Sequence, residues 1–74
     1  MEENVIMYKI KLDLKNKRLD ANITQKFLAT KCSLTQSAVS KIERNLQTTT
    51  LLALENFSNA LDIHPLDLLI VIKK

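Results

Sequence analysis

The chain has 74 residues, 46% of them hydrophobic, and a formal net charge of +3. That length gives a single domain, residues 1–74, with one small core that is marginal unless reinforced, commonly by dimerisation. The apolar content excludes a disordered chain, the lone Cys32 excludes an internal disulfide and fits a reducing cytoplasm, and no apolar run approaches the roughly eighteen residues of a membrane span.

Five helices and no convincing strand are expected, an all-α domain. The first is expected from Glu3 to Asp20, where Ile6, Ile10 and Leu14, with Met7, keep helical spacing. Its N-terminal part MEENVIMYKIK is acidic where a secretory signal would be basic. Asp20-Ala21-Asn22 ends it, with Asn22 as a left-handed cap. The second helix runs from Thr24 as N-cap to about Lys31, with Phe27 and Leu28 inward. Cys32-Ser33-Leu34 forms a turn. The third helix is capped by Thr35 and runs to Arg44, burying Ala38, Val39 and Ile42. A polar loop follows from Asn45 to Thr49.

Thr50 caps the fourth helix, where Leu51, Leu54, Phe57, Ala60 and Leu61 face the core. Pro65 suits the first position of a fifth helix over residues 65–72, because it lacks the amide that would be unpaired there. Glycine is absent. Asn22, Ser33, Asn45 and Asp62 therefore stand where positive φ is expected. With three aromatics, Tyr8, Phe27 and Phe57, the core is expected to be aliphatic.

The stretch from Thr24 to Asn45 carries the most information. Two capped amphipathic segments joined by a short turn make a helix-turn-helix at about 24–44. Between Thr24 and Thr50 the charged residues are Lys26, Lys31, Lys41 and Arg44 against Glu43 alone, and the flanks balance. The second helix of the pair has a polar, partly cationic outer face.

These residues give the chain its resemblance to the Cro/C1-type family, also called XRE or lambda-repressor-like. The matching positions are Leu14, Arg18, Thr24-Gln25, Leu28-Ala29, Thr35, Val39-Ser40, Ile42-Glu43, Leu51, Leu54 and Ala60-Leu61, over about residues 10–69. Ser33 and Asn45 stand where the family usually has glycine, and Lys17 where an apolar residue is common. The resemblance implies a five-helix lambda-repressor-like fold, a sequence-specific transcriptional regulator and double-stranded DNA as partner. Ile42-Glu43-Arg44-Asn45 and the small size are also similar to restriction–modification controller proteins, which are dimeric autoregulators. Small phage repressors and plasmid regulators share the same features.

A helix fits the major groove, with its N-terminal residues at the base edges. Gln36, Ser37 and Lys41 are therefore the expected base readers, with Ser40 secondary. Gln can pair bidentately with adenine, and Lys can reach guanine O6 and N7. Gln25, Thr35, Arg44, Asn45, Gln47 and Thr48 are the expected phosphate contacts. The bland reading, polar residues that are merely solvated, gives way only because the whole motif keeps register; Lys26 and Lys31 stay with the bland reading. The resemblance further implies a structural ion pair between Arg18 and Glu43.

No His–carboxylate–nucleophile set and no glycine-rich phosphate loop occurs, so an enzyme is not expected, nor a cofactor. His64 and Cys32 fall short of the four ligands of a structural zinc, so no metal is expected. Cys32 reads as a small buried hydrophobe, with redox sensing as the other option. In the fifth helix, Leu66 and Leu69, with Ile70 or part of Ile72, are expected inside. That leaves Leu68, Val71 and Ile72 for a homodimer interface, unless Val5, Ile6 and Met7 cover them.

A two-fold dimer would match a palindromic operator. The reading is a dimeric, cytoplasmic and nucleoid-associated DNA-binding regulator, and autoregulation of a restriction–modification operon is its finer form. RNA polymerase joins as partner if the protein activates. The alternative is an antitoxin or protein-interaction adaptor on the same fold.

Overall fold

The structure is a computed structural model that describes residues 6–74. Strand β1 (Tyr8–Leu12) is followed by helices α1 (Leu14–Asp20), α2 (Gln25–Lys31), α3 (Gln36–Glu43) and α4 (Leu51–Leu61), a 3-10 turn over Pro65–Leu68, and strand β2 (Leu69–Lys73). β1 and β2 pair antiparallel, with Ile10 opposite Val71. Four helices and a two-stranded sheet therefore replace the expected five helices.

Both ends of the expected all-α fold are corrected. The helix expected from Glu3 begins only at Leu14, preceded by a strand; the part of that expectation before Ile6, with Val5, lies outside the described residues. Ile6, Ile10 and Leu14 are four residues apart, a spacing that puts them on one side of a helix and equally on one side of a strand. The apolar–lysine alternation of Tyr8-Lys9-Ile10-Lys11-Leu12 is the period-two pattern of a strand, although in the single chain Tyr8 and Ile10 stay exposed. At the other end, the helix expected over 65–72 is a single 3-10 turn and a strand. Ile70-Val71-Ile72 is a β-branched run, stiff at χ1 and better suited to a pleated surface than to a helix.

The three threonine caps form as read. Thr24, Thr35 and Thr50 accept from the amides of Phe27, Ala38 and Ala53, each at 3.0 Å. Asn22, Ser33, Asn45 and Asp62 all have φ between 54° and 58°, so four non-glycine residues hold the turns and helix ends. His64 caps the 3-10 turn through Nδ1, which accepts from Leu66 N at 3.1 Å.

The core is Leu14, Leu28, Ala29, Cys32, Val39, Ile42, Phe57, Leu61 and Leu68. Phe57 is its only aromatic. Phe27 lies half-exposed, with the Lys31 ammonium 5.6 Å from its ring centroid. Leu51 and Leu66 are likewise exposed, not inward as expected, because the core needs only one stripe of each short helix. Leu68 is 0% exposed and closes the base of the core; it is therefore not available as a free interface residue. Among the described residues no helix is long and apolar enough to cross a membrane.

Candidate nucleic-acid interface

α2 and α3 are joined by the turn from Cys32 to Thr35, and Ser33 in the left-handed region reverses the chain. Val39, Ile42 and Glu43 face inward from α3. The opposite side carries Gln36, Ser37 and Lys41, all exposed, with Ser40 half-buried one turn on. With Thr35 as N-cap, Gln36 and Ser37 begin the first turn. The four residues read as base contacts thus form one polar surface on a helix whose back is locked into the core.

That locking rests on a buried polar network. Arg18 Nε donates to Glu43 Oε2 at 2.6 Å, and a second guanidinium nitrogen donates to Oε1 at 3.2 Å. A third donates to the Ile23 carbonyl at 2.8 Å. The planar guanidinium matches the carboxylate as a fork, so α1 and α3 are fixed in angle as well as in distance. Burial leaves neither charge a water substitute.

Gln25 belongs to this network too. Its side-chain amide donates to Glu43 Oε1 at 2.9 Å, which the sequence reading missed. The signal was a carboxylate with more lone pairs than one guanidinium can fill. One amide N–H of Gln25 is therefore committed to the scaffold, and the other takes no part in that bond.

The remaining candidate phosphate contacts cluster at the two ends of α3. Thr35 accepts the Ala38 amide, which leaves its hydroxyl hydrogen to donate outward. Arg44 is exposed at the C-cap, its Nε reaching the Ser40 carbonyl at 3.4 Å. Asn45 turns the chain at φ 57°, and its Oδ1 accepts from Leu12 N at 3.4 Å. This ties the loop to β1 and points the amide nitrogen elsewhere. Gln47 and Thr48 are exposed in the same loop.

Cys32 lies in the core at the end of α2, and burial pushes its thiol pKa up. A thiolate is thereby disfavoured, which speaks for packing over redox chemistry. Among the described residues no group of His, Cys, Asp and Glu is placed to hold a metal ion.

The helix-turn-helix family profile matches residues 14–68. No protein of curated function matches the chain. Among solved structures, the clp gene regulator ClgR from Corynebacterium glutamicum superposes with a TM-score of 0.74 at 23% identity, over 76% of this chain and 60% of that one. The present chain therefore spans about 60% of ClgR's length, and at that identity the likeness speaks for the fold alone. The restriction–modification controller protein C.AhdI from Aeromonas hydrophila gives 0.72 at 30% identity, over 76% of this chain and 85% of that one. A tyrosine-to-alanine mutant of the controller protein C.Esp1396I gives 0.68 at 34% identity, over 74% and 71%.

Proposed function

Because the chain belongs to the helix-turn-helix family in its Cro/C1 form, we propose that it is a sequence-specific DNA-binding transcriptional regulator that acts as a homodimer on a palindromic operator. The observation that carries this reading is the exposed polar face of α3, set on a helix whose back is buried and pinned through Glu43. Gln36, Ser37 and Lys41 read base edges, with Ser40 assisting. Thr35, Arg44, Asn45, Gln47, Thr48 and the free amide N–H of Gln25 hold the flanking phosphates and set the register. The two controller proteins among the structural relatives support autoregulation of a restriction–modification operon as the finer reading. RNA polymerase is a partner only if that regulation is activating.

The dimer is proposed on the ribbon, not on a C-terminal helix. Asp13 N donates to Leu68 O at 2.7 Å and Lys74 N to Met7 O at 2.8 Å. In an antiparallel ladder such pairs alternate, so Leu69, Val71 and Lys73 turn their peptide groups to the outer edge of β2. Val71 is 60% exposed and Ile10 opposite it 63%. A second copy adding its β2 about a two-fold at Val71 would satisfy those groups on both chains and cover the apolar pair. Of the three residues read as interface, Val71 stays with this proposal, whereas Ile72 turns its peptide group to β1 and its side chain to the opposite face, across from Lys9.

Selection from a pool of random duplexes tests the function. The expected product is a palindromic site whose half-site centres lie about 34 Å apart. Absence of any enriched sequence would leave the protein-interaction module as the better account.

A further inference from the structure

We propose that Lys9 and Lys11 on β1 form a second phosphate-binding strip, continuous with the loop after α3, which extends the DNA footprint beyond the helix-turn-helix. The inference rests on the DNA-binding reading above and adds a site to it. The balanced charge of the flanks conceals a segregation. Residues 6–12 and 69–74 carry Lys9, Lys11, Lys73 and Lys74 and no acidic residue, whereas residues 51–68 carry Glu55, Asp62 and Asp67 and no lysine or arginine. Four of the seven cations of the flanks thus lie on or beside the ribbon, the other three on α1. Self-repulsion among them is a cost that an anionic partner would relieve.

Strand geometry places two of them usefully. Lys9 and Lys11 are two residues apart, so both leave the same face of β1, roughly 6.8 Å apart along the strand. Their cross-strand neighbours on that face are Ile72 and Ile70, so the ribbon itself sets no carboxylate against them.

The strand does not stand clear of the helix-turn-helix. An open groove of about 600 Å³ runs between them, lined by Lys9 and Lys11 on one side and by Asn45, Gln47 and Thr48 on the other. The bond from Leu12 N to Asn45 Oδ1 fixes the strand against the loop at the groove's base. The same backbone that meets Asn45, Gln47 and Thr48 therefore meets the two lysines next. Double-stranded DNA presents one charge per roughly 1.7 Å of axis, a density that suits closely spaced cations on an extended strand.

The test is the salt dependence of duplex binding. On a selected duplex, the double variant Lys9→Gln/Lys11→Gln is expected to flatten the slope of log K against log salt by about 1.8, since each neutralised phosphate contributes about 0.9. Binding to random duplex should weaken in parallel, because phosphate contacts carry no sequence information. Lys9→Arg/Lys11→Arg should restore the slope. Lys15→Gln/Lys26→Gln removes the same charge outside the groove and should leave the slope within about 0.4. An unchanged slope in the Lys9/Lys11 variant, or equal flattening by both glutamine pairs, overturns the strip while leaving the helix-turn-helix reading intact. A wild-type protein that binds no duplex at all would overturn both.

Discussion

The helical body and the ribbon that closes it are stabilised by different means. In the body, residues 14–68, every element presents an apolar stripe to a shared core, and a buried ion pair sets the angle between α1 and α3. In the ribbon, two strands of five residues pair with each other, and among their described residues only Leu12, at the base, packs against the core. Two isolated strands are marginal in water. The body therefore holds α3 rigid, and the ribbon leaves unpaired edges, apolar side chains and lysines exposed. A surface that reads DNA needs the first property; the dimer and the phosphate strip proposed above need the second.

Substitutions in each region should separate these roles. The largest effect is expected at the ion pair. Glu43→Gln strands the Arg18 guanidinium and is expected to lower stability by roughly 3–5 kcal/mol, which thermal unfolding would show as a fall of well over 10 °C in a domain this size. A melting temperature equal to wild type would mean the pair does not hold α1 to α3. Next come Leu68 and Val71, three residues apart and on opposite sides of the boundary. Leu68→Ala empties a core position and should cost about 2–5 kcal/mol. Val71→Asp should change the stability of the isolated chain by about 0.5 kcal/mol or less, yet shift sedimentation at micromolar concentration toward monomer. Equal losses of stability at both sites would place the ribbon inside the cooperative body. The smallest effect is expected at Arg44. Arg44→Ala should leave folding alone, weaken all duplexes alike and flatten the salt slope by about 0.9. An unchanged slope removes Arg44 from the phosphate contacts.

Much of the body is legible in the sequence, because its signals are local. A threonine hydroxyl that caps a helix acts within three residues, and Thr24, Thr35 and Thr50 do so. The left-handed positions at Asn22, Ser33, Asn45 and Asp62 follow from helix ends with no glycine to take them. The ribbon is not legible in the same way, because its signals are not local. Ile6, Ile10 and Leu14 fit both periodicities, and only the pairing with a segment some sixty residues away decides for a strand. The tail Leu68-Leu69-Ile70-Val71-Ile72 is apolar throughout, so its pattern could not show which side faces in; the structure buries Leu68 and leaves Val71 outside. The polar face of α3 was legible as a surface, whereas the bond from Gln25 to Glu43 needed the distance between α2 and α3.

Whether α3 reads DNA sequence while the body holds it in place is decided by the specificity ratio of Gln36→Ala. The measurement is the affinity of wild type and variant for a selected duplex and for a random one, at one salt concentration. A loss of about 1–3 kcal/mol is expected on the selected duplex, as for a bidentate contact to adenine, with random duplex bound as before. An equal loss on both duplexes would contradict it, and so would no loss on either.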